Sequence, residues 1–144
     1  MMYKALDVAE YTIRKANAID DPISNLKLQK ILYFIQAAFL ITKNRPCFKE
    51  EIEAWGFGPV VPVVYREYKA YGGVCIPHFT DRPIETIEKE DMVLIDEIVE
   101  FCKPYSSVDL TDVSMKQDPW RMVYSRYRKK VVISNESIKE YFSS

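Results

Sequence analysis

The sequence predicts a mainly α-helical domain, a compact bundle of about six to seven helices with two or three short β-strands. Apolar residues recur at intervals of three and four over most of the chain, as they do on the buried face of a helix. Alternation typical of strands is confined to short runs. The 144 residues fit one domain with a core of its own, so we expect a single domain over residues 1–144.

Two helices are predicted in the first 45 residues. Residues 4–17 form the first, on the spacing of Leu6, Ala9, Ile13 and Ala16, and the Asp-Asp-Pro turn at 20–22 ends it. Ser24 or Asn25 caps the second. That helix is apolar on most sides, which is typical of a central position. Its polar side is expected to carry Lys27, Gln29 and Lys30.

The middle of the chain contains a strand and a third helix. Residues 51–55 alternate as a strand does, and glycines at 56 and 58 break the chain after it. Pro59 and Pro62 both fit the first turn of a helix that runs to Tyr71, where two glycines end it. Residues 74–89 read as a loop with one edge strand at 86–88.

Five more elements are predicted in the remainder of the chain. A fourth helix covers about residues 92–102, and Ser106 with Asp109 forms a capping box that opens a fifth. Asp118 and Pro119 open a sixth helix. The β-branched run at 131–133 is a short strand, and Ser134 caps the last helix.

Charge and cysteine content restrict the function classes. Twenty basic and twenty-one acidic residues leave a net charge of −1, so no overall field draws the chain to nucleic acid or membrane. The three cysteines lie 28 and 27 residues apart, which matches neither a disulfide framework nor a metal site. No signal-peptide core is present near the N-terminus. These features favour the cytoplasm, and we expect no membrane contact.

The chain shows no catalytic set. Its one histidine, His78, follows Cys75 by three residues, but neither a reactive pair nor a zinc site has its remaining members nearby. No glycine-rich phosphate loop appears. Nine acidic residues lie between positions 85 and 112, where a solvated helix face explains them better than a catalytic pair. We therefore predict no enzymatic activity, no cofactor and no metal.

A basic stretch follows the acidic one. It contains Arg121, Arg126, Arg128, Lys129 and Lys130, interleaved with two tyrosines. Such residues bind phosphates and stack on bases, which would make the chain a nucleic-acid-binding transcriptional regulator with a winged-helix-like unit. The other interpretation is a basic helix end that pairs internally with the acidic stretch. The neutral overall charge favours the second interpretation.

Four segments, in this order, resemble the SocA-like antitoxin family, also called the Panacea antitoxin domain, which occurs in phage-associated and mobile-element proteins. They are NLKLQKILYF at 25–34, IEAWGFGPVVPVVYREYKAYG at 52–72, YSSVDLTDVSMKQDPWRM at 105–122 and VISNESIKEYF at 132–142. The most specific piece is W-x-x-G-P-V, followed by Tyr65. The resemblance covers about residues 5–142.

The resemblance implies a helical, non-enzymatic module that binds and neutralises a toxin protein encoded by an adjacent gene. Aromatic residues dominate protein interfaces, so we expect the toxin to contact Trp55, Tyr65, Tyr68 and Tyr71. A conformational role is expected for Gly56, Gly58, Pro59, Val60 and Trp120. The composition is also compatible with a homodimer.

Overall fold

The computed structural model describes residues 2–77, 87–128 and 130–144. Within these ranges, seven α-helices and three short strands confirm the mainly α fold. They are α1 (Ala5–Ala18), α2 (Asn25–Thr42), β1 (Ile52–Trp55), β2 (Gly58–Val60), α3 (Pro62–Tyr68), α4 (Lys89–Cys102), α5 (Ser107–Met115), α6 (Asp118–Arg121), β3 (Val131–Ile133) and α7 (Asn135–Ser143). A 3₁₀ turn at Lys69–Tyr71 follows α3.

The helix α2 lies at the centre of the fold, as predicted. Five other helices and β2 pack against it, namely α1, α3, α4, α5 and α7. Its apolar residues from Leu28 to Phe39 are buried except Phe34 and Ala38, which are partly buried, and they form one continuous core with the inward faces of the neighbouring elements. Among the described helices, none is both long and apolar enough to cross a membrane.

The three strands form one antiparallel sheet in the order β2-β1-β3. Ala54 in β1 pairs with Pro59 on one side and with Val131 on the other. The prediction that Pro59 belongs to a helix is wrong, because it lies in β2 and the third helix begins at Pro62. Since β2 is an edge strand, the missing N–H of proline breaks no ladder.

The predicted serine caps of three helices are confirmed. The Ser24 hydroxyl accepts a hydrogen bond from the amide of Lys27, and Ser134 caps α7 in the same way. Ser106 and Asp109 form the complete capping box. The strand predicted at 86–88 lies partly outside the described residues, and Glu88 is the N-cap of α4.

A buried carboxylate joins three parts of the chain. Asp91, in the first turn of α4, accepts hydrogen bonds from the hydroxyl of Tyr3 and from Lys43. The Arg45 Nη2 donates to both of its carboxylate oxygens, at 2.9 Å to Oδ1 and 2.8 Å to Oδ2. Burial alone would raise the pKa of Asp91, but the bonds from Lys43, Tyr3 and Arg45 outweigh it and lower the pKa to about 2. The network fastens the N-terminal segment and the end of α2 to α4.

Candidate protein-binding site

The strands β1 and β2 form a tight hairpin that displays aromatic rings. Trp55 pairs with Gly58, so only Gly56 and Phe57 make the turn. The rings of Trp55, Phe57 and Tyr65 contact one another at centroid distances of 5.2 to 5.8 Å. All three side chains are half-buried, which leaves part of each ring open to a partner. We call these three residues the hairpin cluster.

The pairing of β1 with β3 brings the basic stretch to this hairpin. Because Ala54 pairs with Val131 in antiparallel register, the residues before Val131 run past Trp55 towards the turn. A pocket of about 310 Å³ lies between them. Its lining combines the hairpin with the end of the basic stretch: Ala54, Trp55, Gly56, Phe57, Tyr124, Ser125, Arg126, Arg128 and Lys130. We call this space the hairpin pocket.

One wall of the hairpin pocket is held by Trp120. Its indole Nε1 donates to the carbonyl oxygen of Trp55 at 2.8 Å, and its ring stacks on that of Tyr124 with centroids 4.4 Å apart. Tyr124 in turn lines the pocket. Trp120 is almost fully buried. These contacts favour a conformational role for Trp120, since it fixes a ring of the pocket relative to the hairpin.

Polar side chains of α2 form hydrogen bonds with the backbone at the end of the hairpin. The expectation that Lys27, Gln29 and Lys30 lie on an exposed polar side is wrong, because all three are buried. The Gln29 Oε1 accepts from the amide of Val61 at 2.8 Å, and the Lys30 Nζ donates to the carbonyl oxygen of Pro59 at 2.8 Å. Backbone groups at the end of β2 would otherwise be buried without partners, which is costly.

Lys30 is a buried cation directly beneath the hairpin cluster. Its side chain is fully buried, and its Nζ lies 5.3 Å from the centroid of the Phe57 ring. Burial lowers the pKa of Lys30 to about 7. A cation over an aromatic face is attracted by the ring, so this lysine supports the position of Phe57 as well as the backbone of Pro59.

Gly58 is required by this arrangement. Its φ is +102°, and a Cβ there would lie 3.0 Å from the Lys30 Nζ and 3.1 Å from the Ser114 Oγ. We expect Gly58→Ala to lower the free energy of unfolding by about 1 to 3 kcal/mol from backbone strain alone. Urea unfolding measures the change. Gly73→Ala is the matched control, because nothing lies within 4 Å of its Cβ position. Equal stability of the two variants would contradict the role of Gly58.

The predicted partner residues do not form one surface. Trp55 and Tyr65 lie together in the hairpin cluster, joined by Phe57, which the sequence analysis missed. Tyr68 is buried, and its hydroxyl donates to Glu10 Oε1 at 3.0 Å. Tyr71 is exposed and packs on Tyr68 at 6.4 Å. Tyr68 is therefore a core residue that supports α3 against α1.

The residues proposed to fix the hairpin have clear structural positions. Val60 is buried and pairs with Glu53, and the carbonyl of Pro59 receives the lysine bond. A Cβ at Gly56 would meet the Tyr124 hydroxyl at 3.5 Å, which is an ordinary contact distance. Gly56 is thus the position in the turn where a small residue leaves the hairpin pocket open, whereas Gly58 is fixed by its backbone conformation.

The basic stretch is divided by the structure. Arg126, Arg128 and Lys130 line the hairpin pocket, but Arg121 does not and forms an exposed ion pair with Asp118 at 2.6 Å. Lys129 lies outside the described residues. A phosphate-contacting track through all five predicted cations therefore has no support from Arg121, whose charge is already paired.

The residues considered for catalysis are not drawn together where the structure describes them. His78 lies outside the described residues, and the exposed Cys75 donates through Sγ to the carbonyl of Pro22. In the acidic stretch, Asp91 is held by the buried network and Asp109 by its capping box. No group of three histidine, cysteine or acidic side chains is arranged to hold a metal within the described part of the chain.

Comparison with known proteins adds to these observations. Residues 28–121 match the family described as antitoxin SocA-like, Panacea domain. A curated relative named Antitoxin SocA, from Caulobacter vibrioides, is 55% identical over 65 residues, and this match spans 45% of the chain and 35% of the relative. No solved structure matches significantly. The matched family segment contains Lys30, the whole hairpin and Trp120, which are the residues that build the pocket's fixed side. The chain belongs to the antitoxin SocA-like, Panacea domain family.

Proposed function

We propose that this protein is a non-enzymatic antitoxin, one domain over residues 1–144, that binds and neutralises a toxin protein encoded by an adjacent gene. Membership of the antitoxin SocA-like family supports the antitoxin role. The name of the relative from Caulobacter vibrioides supports it as well. Neutralisation by binding needs an interface rather than a catalytic set, and the described residues offer a candidate interface at the hairpin pocket.

The proposed position of the interface rests on one observation: aromatic and basic residues converge at the hairpin pocket. Trp55 and Phe57 line the same concave surface as Arg126 and Arg128. Tryptophan, tyrosine and arginine contribute most of the binding energy in protein interfaces, and they do so in pockets that exclude water. Here these residue types surround a pocket whose backbone is fixed by buried hydrogen bonds, so little order must be gained on binding.

Co-expression in bacteria tests this function. The adjacent gene is expressed alone, then with this protein, and surviving colonies are counted; the two products are also purified together through a tag on one of them. We expect toxicity of the adjacent gene alone, and both rescue and co-purification when this protein is present. A toxic product that this protein neither rescues nor binds, or a harmless product that does not co-purify, would refute the proposal.

A pair of phenylalanine variants locates the interface in the same assay. Phe57→Ala removes a ring of the hairpin cluster, and we expect it to weaken toxin binding by about 30-fold or more, as loss of a hot-spot residue does. Phe101→Ala removes the same ring from an exposed position on α4 and should leave the affinity unchanged. Isothermal titration gives both affinities, and thermal unfolding confirms that each variant is folded. Equal affinities would place the interface elsewhere.

A further inference from the structure

The interior of the hairpin pocket is apolar and has the size of an amino-acid side chain or two. Rings of Trp55, Phe57 and Tyr124 and the methyl group of Ala54 line it. Its volume of about 310 Å³ lies at the lower end of the range for ligand pockets. An apolar side chain that enters would displace water from these rings, which is the main source of favourable free energy at such sites.

The rim of the same pocket is positively charged. Arg126, Arg128 and Lys130 are exposed, and none of the described residues that line the pocket with them is acidic. The Arg126 guanidinium lies over the Tyr127 ring at 5.2 Å and donates to its hydroxyl, a neutral group. Over residues 2–77, 87–128 and 130–144, none of the three cations forms an ion pair. The Glu53 carboxylate lies beside the pocket, where it accepts from the Trp55 Nε1 at 2.9 Å, but it is not ion-paired with any of these three cations.

Exposed acidic side chains lie on the helices α4 and α5. Glu97 and Glu100 on α4 and Asp112 on α5 are exposed, so the net charge of −1 hides a local positive surface at the pocket. Opposed potentials steer association and select the partner. A partner segment that carries carboxylates beside an apolar residue complements both the rim and the interior of the pocket.

We propose that the hairpin pocket binds an acidic segment of the partner protein, with an apolar side chain of that segment inside the pocket and its carboxylates on Arg126, Arg128 and Lys130. This assignment rests on the antitoxin function proposed above and names the chemistry of the toxin surface that is recognised. A nucleic acid strand is the competing polyanion. It is disfavoured because Arg121 is paired with Asp118 and because the concave apolar interior suits a side chain better than a phosphate track.

Two synthetic peptides test the proposal without the toxin. One is acetylated and amidated Glu-Glu-Asp-Leu-Phe-Glu-Glu, and the other carries lysine at every acidic position. Binding to the full chain is followed by the nitrogen and proton NMR signals of the two indole groups and of the backbone at 54–57 and 124–128. We expect the acidic peptide to shift the Trp55 indole and these backbone signals, with an affinity that falls as salt is added, and the lysine peptide to shift none of them.

Charge-reversal variants supply the control. Arg128→Glu is expected to weaken binding of the acidic peptide at least tenfold, whereas Lys69→Glu, which reverses an exposed charge on the 3₁₀ turn, should not change it. Three outcomes overturn the proposal: neither peptide shifts the pocket signals, the lysine peptide binds as well as the acidic one, or a short single-stranded DNA binds there more tightly than the acidic peptide. Self-association that depends on the pocket, observed by sedimentation, would likewise overturn the proposal. The occupant would then be a second copy of this chain and not a toxin segment.

The co-expression assay separates this proposal from the antitoxin function. If the wild-type protein and Arg128→Glu both rescue, and the acidic peptide does not bind, the assigned chemistry is refuted and the antitoxin function is left intact. Binding of the acidic peptide by a chain that rescues no toxin refutes the function and leaves the acidic-segment site standing.

Discussion

Replacing Asp91 with asparagine is expected to lower the free energy of unfolding by about 3 to 5 kcal/mol, the usual cost of removing one member of a buried ion pair. The carboxylate is nearly inaccessible to solvent and accepts from Tyr3, Lys43 and Arg45. Asparagine has a similar shape but no charge, so two cations would lose their counter-ion. Equilibrium unfolding in urea measures the loss.

Glu97→Gln is the matched control for Asp91→Asn. It removes a carboxylate from the same helix at an exposed position, and we expect a change within about 0.5 kcal/mol. The pKa of Asp91, near 2 in the folded chain and 3.8 as its ordinary value, adds a second signature. Its contribution is present above pH 4 and is lost as pH falls towards 2, because the unfolded chain takes up the proton first. Similar stabilities of the two variants at pH 7 would refute the importance of the network.

Lys30→Met is expected to change how stability depends on pH. In the folded chain Lys30 loses its proton at about pH 7, whereas its ordinary pKa is 10.5. Between these values the unfolded chain binds more protons, so the contribution of Lys30 to stability rises with pH. The difference in unfolding free energy, wild type minus Lys30→Met, should therefore rise between pH 7 and pH 9, with a limiting slope of about 1.4 kcal/mol per pH unit.

The difference between the two proteins isolates Lys30 from the other titrating groups. Cys47, Cys102 and Tyr33 are also buried with raised pKa values, and their effects at alkaline pH are common to both proteins. Lys116→Met, at an exposed position after α5, is the control and should give a flat difference. A flat difference for Lys30→Met as well would show that Lys30 keeps its proton in the folded protein.

The helix boundaries could be predicted because local chemistry determines them. Ser24, Ser106 and Ser134 cap their helices through bonds to amides three residues away, and such bonds are visible in sequence spacing. The strand position of Pro59 could not be predicted in this way. A proline fits a helix start and an edge strand equally well, and only pairing with Ala54 decides between them.

The burial of the Lys30 and Gln29 side chains also depends on partners that are distant in the sequence. Lysine and glutamine are usually exposed, so the sequence favours the solvent side for both. Their burial follows from the carbonyl of Pro59 and the amide of Val61, which lie 29 and 32 residues further along the chain. A useful signal was present: a helix that is apolar on most sides has no large polar face, so its few polar residues need buried partners.

The hairpin pocket joins two features that the sequence keeps apart. Trp55 was predicted as a partner residue, Phe57 was assigned no role, and Arg126, Arg128 and Lys130 were predicted as part of a phosphate-contacting patch. The pairing of β1 with β3 unites them, and pairing between residues 77 to 81 positions apart is not visible in local periodicity. Tyr68 shows the reverse error, since its aromatic side chain suggested an interface but fills the core beside Glu10.

The most direct test of the interface is hydrogen–deuterium exchange of this protein with and without its purified toxin. If the toxin binds at the hairpin pocket, the exposed amides near Gly56 and those at 125–128 become protected in the complex, and exchange on the outer face of α4 and α5 is unchanged. Protection confined to α4 and α5, with the turn and residues 125–128 exchanging as in the free protein, would contradict the account.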